Sequence, residues 1–112
     1  MQIEERVVGD VMVLNVKGRM VITEGDVMLR DKINSVVHQG HSKVLLNLAE
    51  VTFLDSASLG TIIGAYTTLT NRGGVLKLAN LTERIQDLLT ITKLTTVFET
   101  YDTVDEGVKS FA

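Results

Sequence analysis

Apolar and polar residues alternate along this chain at two different periods, and the changes of period mark out its elements. Ile3 to Val8 has strand character and stops at Gly9-Asp10, a pair suited to a two-residue hairpin turn. Val11-Met12-Val13-Leu14-Asn15-Val16 is a stronger strand closed by Lys17-Gly18, so the first two strands are expected to pair antiparallel. Thr23-Glu24-Gly25-Asp26 has capping-box spacing, with an acid three residues after the threonine. Leu29, Ile33, Val36 and Val37 then mark one helical face, which ends at Gly40. Val44 to Leu48 is a near-continuous apolar run, the pattern of a central strand covered on both faces.

Further along, Leu59, Ile62, Ile63, Tyr66 and Leu69 recur at helical spacing, and Asn71-Arg72-Gly73-Gly74 supplies a C-terminal stop. Val75 to Ala79 reads as the next strand. Asn80 and Glu83 repeat the capping spacing ahead of Ile85, Leu88 and Leu89. Val97 to Tyr101 is expected to form a short edge strand, and Thr103 and Glu106 to open a last helix carrying Val108 and Phe111. The order ββαβαβαβα predicts an α/β domain with a single mixed β-sheet of about four or five strands and about four helices, with right-handed crossovers between parallel strands. In such sheets functional loops gather at the C-terminal ends of the strands.

Length and composition narrow the function classes. At 112 residues, one domain over 1–112 is expected, with 45% apolar residues to build its core. The absence of cysteine removes disulfides, thiolate zinc sites and thiol catalysis together. A net charge of −3 and the lack of tryptophan disfavour a nucleic-acid surface. Neither a signal peptide nor a membrane-spanning run is expected, since no apolar segment approaches the ~20 residues that a bilayer requires. A cytoplasmic location without membrane contact is the expectation.

The most informative segment is Phe53-Leu54-Asp55-Ser56-Ala57-Ser58-Leu59-Gly60, between an apolar strand and a helix. Asp and Ser are leading N-cap types because their side-chain oxygens accept the orphan N–H groups of a first helical turn. Asp55 or Ser56 therefore belongs at a helix start, where the dipole favours an added phosphate. A phosphate there would bring close to two negative charges to the surrounding surface. Against this stands the reading in which Ser56 only caps the helix or braces its loop. Ser58, in the first helical turn, is expected to be solvated.

Other motifs carry less. Gly60 and Gly64 have GxxxG spacing; close packing is the preferred reading for Gly64, while Gly60 stays open between packing and a bare face beside the loop. His38 and His41 flank a helix end and have no accompanying carboxylate pattern, so no metal is expected. Ser56 lacks a GxSxG elbow and a neighbouring base, so no catalytic residue is assigned. The pairs Glu4-Glu5 and Asp105-Glu106 read as solvated faces, and Gly73-Gly74 as a turn rather than a phosphate cradle.

The run Asn47-Leu48-Ala49-Glu50-Val51-Thr52-Phe53-Leu54-Asp55-Ser56-Ala57-Ser58-Leu59-Gly60 resembles the signature of the sulfate-transporter and anti-sigma-factor-antagonist (STAS) domain. Gly18, the Arg72-Gly73-Gly74 turn and the Leu94-to-Phe98 segment agree with that family, and the likeness is to its free-standing bacterial members, the anti-sigma factor antagonists. The resemblance implies the STAS fold and a mechanism. An unphosphorylated antagonist binds an anti-sigma factor, a serine kinase with a GHKL-type ATPase fold, and so frees a sigma factor for transcription. The kinase phosphorylates the serine after the Asp, here Ser56 after Asp55, and a PP2C-type phosphatase restores it. Gly18, Arg19, Asp55, Ser56, Ala57, Ser58 and Gly60 are the implied contact residues, with Ser58 a lesser candidate for modification.

Three positions depart from the family pattern: Ser58 stands where glycine is usual, and Arg19 and Met20 replace the usual Leu-Asp. Arg19 brings a positive charge to a loop expected to flank Ser56, where it could pair with a phosphate. The expected protein is thus a non-enzymatic switch without cofactor. The rival is a STAS interaction subunit of a signalling or transport complex that is not phosphorylated. An enzyme or small-ligand binder using the same loop comes third, for want of a base.

Overall fold

A computed structural model describes residues 2–20 and 25–112 of the chain. Strands β1 (Gln2–Val8) and β2 (Val11–Met20) form the expected hairpin. Its turn uses Gly9 at φ +63°, the sign a two-residue hairpin requires. Helix α1 (Gly25–His38), β3 (Lys43–Leu54), α2 (Ser56–Asn71), β4 (Val75–Ala79), α3 (Glu83–Ile91), β5 (Thr100–Tyr101) and α4 (Val104–Lys109) follow. The Thr23-Glu24 cap expected for α1 lies outside the described residues.

The five strands lie in chain order, with β1 antiparallel to β2 and parallel pairing from β2 through β5. Every crossover steps to the next strand in the same direction, so right-handedness puts α1, α2 and α3 on one face. Leu29 and Ile33 of α1, Ile62 and Leu69 of α2 and Ile85 and Leu89 of α3 share one core with Leu14, Leu46 and Leu78 of the sheet. On the opposite face, Val104 and Val108 of α4 and Phe111 beyond it cover a smaller cluster of Val11, Val13, Leu45 and Ala79. This two-faced covering explains the near-continuous apolar runs of β3 and β4.

Four elements differ from the sequence expectation. Strands β2 and β3 run on to Met20 and Leu54, well past Gly18 and Leu48. Register shifts between Asn15 and Lys17, and again between Gly18 and Arg19, reset which side chains face the core. The exposed residues Ala49, Glu50 and Thr52 therefore interrupt the pattern without ending the strand. The N-cap of α3 is Thr82, whose side chain accepts the Ile85 N–H; Asn80 instead sits at φ +56° and donates to Asn47 Oδ1 at 2.9 Å. β5 is limited to Thr100–Tyr101, because Leu94–Thr96 coils into a 3-10 turn that delivers Phe98 to the core, edge-on to Tyr66 with ring centroids 5.4 Å apart.

Candidate functional site

The extension of β2 and β3 determines where the site lies. Their pairing continues through Gly18 with Val51, Arg19 with Phe53 and Met20 with Leu54, directly below the loop that turns into α2. Gly18 holds φ +94° at the second register shift, a conformation that glycine adopts at no steric cost. Leu54 and Met20 are buried and anchor the loop from beneath.

Asp55 is the N-cap. Its backbone is extended, at φ −92° and ψ 168°, and its Oδ1 accepts the Ser58 N–H at 2.7 Å. The Ser58 side chain and the Ser58 N–H beside the carboxylate hold Asp55 below the usual carboxylate range. The Ser58 hydroxyl makes no hydrogen bond, so the N–H is the contact the geometry supports.

The two serines part company within one helical turn. Ser56 and Ala57, the first residues of α2, are exposed. Ser58 is fully buried, and its Oγ has no partner. The expectation of a solvated Ser58 available to a partner is corrected here: its side chain lies on the buried stripe Ser58, Ile62, Ala65 and Leu69, which faces the sheet. That stripe has helical spacing and could have been read from the sequence.

Gly64 differs from its expected close packing, and Gly60, left open above, lies on the same bare face. Gly60 and Gly64 are exposed, and an added Cβ at either would meet nothing within 4 Å. Gly64 is therefore not a packing glycine. Both line a groove of about 150 Å³ between α1 and α2, opposite Arg30 and Asn34. Both helices return antiparallel to the strands, so their N-termini share one end of the molecule. Val27 and Met28 of α1 stand there 47% and 39% exposed, an apolar patch that the sequence did not single out.

Gly18, Arg19, Asp55, Ser56 and Ala57 thus lie at one end of the sheet, with Gly60 one turn further along α2. The structure adds Arg84 of α3, whose guanidinium lies 5.1 Å from the Phe53 ring centroid, as does that of Arg19. No local pattern links residues 53 and 84; only the fold joins them. A larger cleft of about 340 Å³ lies at the C-terminal ends of β4 and β5, among Asn80, Gln86, Tyr101 and Asp102. His38 and His41 are at the far end of α1, and among the described residues no group of three His, Asp or Glu side chains could hold a metal ion. No described helix is long and apolar enough to cross a membrane.

An open sheet of this order, singly wound on one face and carrying an N-capped helix after its central strand, defines a domain of the STAS type. The STAS domain profile matches residues 2–107, and the chain belongs to that family. Its relatives include the anti-sigma-B factor antagonist of Bacillus subtilis, 32% identical over 96 residues, with 86% of each protein covered. The anti-sigma F factor antagonist of Paenibacillus polymyxa is 22% identical, with 91% of this chain and 87% of that protein covered. A crystal structure of a candidate anti-sigma factor antagonist from Thermotoga maritima superposes with a TM-score of 0.88 at 25% identity, covering 96% of this chain and 92% of that one. The phosphorylated form of the Bacillus cell fate determinant SpoIIAA shares the fold, with a TM-score of 0.77 at 18% identity over 99% of this chain and the whole of that one. The relatives are named as anti-sigma factor antagonists, which are binding proteins rather than enzymes, and the chain falls in this branch of the STAS family.

Proposed function

We propose that this chain is a single cytoplasmic STAS domain that binds an anti-sigma factor when Ser56 bears a free hydroxyl, and releases it when Ser56 is phosphorylated. The partner would be a GHKL-type serine kinase that modifies Ser56, with a PP2C-type phosphatase reversing the change. The observation that carries this reading is the division of labour at the start of α2: Asp55 is tied back as the cap, and Ser56 stands exposed beside it. The surrounding surface suits a docking partner, with Val27 and Met28 uncovered and two glycines leaving the α2 face bare.

The energetics are adequate. Moving a complex from almost fully bound to almost fully free takes about 10⁴-fold in affinity. A dianion at the centre of an interface, next to an ionised Asp55, meets both desolvation and like-charge repulsion, each costly in a water-poor contact. SpoIIAA, which shares this fold, exists in a phosphorylated form.

Incubation with the candidate kinase and ATP, followed by intact-mass analysis, tests the proposal. The expected result is one added phosphoryl group, absent from Ser56→Ala, and a phosphorylated sample that no longer binds the kinase. A chain that binds the anti-sigma factor and is never modified would overturn the switch and leave a constitutive interaction subunit.

A further inference from the structure

We propose that Arg19 and Arg84, braced on the Phe53 ring, form a phosphate receptor whose occupant is the phosphate carried by Ser56; this rests on the reading of Ser56 as a modified residue. Arg19 is the register partner of Phe53 on the neighbouring strand, and Arg84 reaches the same ring from the first turn of α3. Two distances of 5.1 Å to one centroid keep the guanidinium carbons within about 10 Å of each other. Both side chains are exposed, and among the described residues no carboxylate lies within 4 Å of either.

Two like charges converging on one aromatic ring, with no carboxylate of the described residues paired to either, is an arrangement that suits an anion. A guanidinium held over a ring has five N–H donors and keeps those not aimed at the ring for a ligand, in the fork that matches phosphate oxygens. A cavity of about 170 Å³ opens beside the ring, bounded by Thr52, Leu54, Thr82 and Arg84. Ser56 is three residues from Phe53, which limits their Cα separation to about 10–11 Å, within the combined reach of an arginine and a phosphoserine. Asp55 adds direction, because its ionised carboxylate repels a phosphate next to it and leaves the arginines as the favourable side. Phosphorylation would then also withdraw two cations from the docking face.

The experiment uses the full chain with phosphoserine incorporated at position 56 during synthesis, so that no kinase is needed. The phosphate is titrated by phosphorus NMR in the otherwise wild-type chain and in Arg19→Gln, Arg84→Gln and the double variant. The second ionisation of a free phosphoserine lies near pH 6. The expected result is a lower value in the wild-type background, rising in each single variant and by roughly half a unit or more in the double, about threefold in proton affinity. Identical titrations in wild type and double variant would overturn the receptor while leaving the switch intact. Conversely, a kinase that ignores Ser56 would sink the switch without touching this measurement. As a second arm, the Nε–H signals of Arg19 and Arg84 are followed on adding inorganic phosphate to the unmodified chain. If inorganic phosphate moves both signals and phosphoserine 56 moves neither, the pair serves a phosphate from another source, and the assignment to Ser56 is overturned.

Discussion

Asp55 and Ser58 are joined by a 2.7 Å bond from the serine N–H to the aspartate Oδ1, and that bond fixes the start of α2 so that Ser56 is left outside the cap. The Ser58 side chain and N–H lower the Asp55 pKa, with the N–H the bond the geometry supports. A carboxylate whose folded pKa is depressed adds stability above its unfolded value of about 3.9 and loses it as pH falls through the folded value. The first turn of α2 is therefore expected to loosen only below about pH 4. Asn is a comparably good N-cap without a charge to titrate. Asp55→Asn should thus keep the neutral-pH stability and flatten the acid limb of an unfolding-versus-pH curve. An acid limb unchanged by the substitution would refute this.

Ser58 presents the opposite case, a hydroxyl enclosed without a partner. Replacing such a group by an apolar one of similar size relieves its desolvation, and alanine is the better helix former. Ser58→Ala is expected to stabilise the fold by about 1 kcal/mol, read as a higher urea midpoint at constant m-value. It should leave modification at Ser56 untouched. A loss of stability would mean that an ordered water satisfies the hydroxyl.

Gly60 and Gly64 separate stability from binding. Glycine inside a helix costs about 1 kcal/mol relative to alanine, and here an added methyl would meet nothing within 4 Å in the isolated chain. Gly60→Ala and Gly64→Ala should each raise stability by about that amount. If the bare face is where the anti-sigma factor approaches, the same variants should bind it more weakly, as isothermal titration can measure. Unchanged binding by both would place the contact elsewhere. Gly74 is the internal control: its added Cβ would lie 2.6 Å from the backbone oxygen of Ser42, so Gly74→Ala should destabilise by about 1–3 kcal/mol.

What the sequence could and could not disclose follows from the range of each interaction. The cap at Asp55 was legible because N-capping joins residues three apart. The hairpin, the helix stops and the parallel order were legible because glycine position and apolar period are local signals. The continuation of β3 to Leu54 was not, since it depends on register shifts against β2 that no pattern within β3 reveals. Asn80 misled because its spacing to Glu83 imitated a cap, whereas its side chain serves Asn47 on a neighbouring strand. The burial of Ser58 is legible in the stripe spacing, since it lies four residues before Ile62, on the face that meets the sheet. The pairing of Arg19 with Arg84 through Phe53 is purely tertiary.

Lys77 poses the last question, whether charge or packing holds α4 on the second face of the sheet. Only 7% exposed on β4, it donates from Nζ to the carbonyl and the hydroxyl of Ser110, the C-cap of α4, at 3.1 and 3.0 Å. Its ammonium also lies 4.5 Å from the Phe111 ring centroid and 3.4 Å from a Glu99 carboxylate oxygen. A cation at a helix C-terminus is favoured by the dipole, yet its burial carries a desolvation penalty that offsets much of the gain. The long aliphatic stem, by contrast, packs without such an offset. Lys77→Met keeps the stem and removes the charge, so it should stay within about 1 kcal/mol of wild type in urea unfolding. Lys77→Ala removes both and should cost about 2–4 kcal/mol. Amide exchange in α4 should rise modestly in the first variant and strongly in the second. A Met variant as damaging as the Ala variant would show that the ammonium contacts, not the stem, keep the last helix in place.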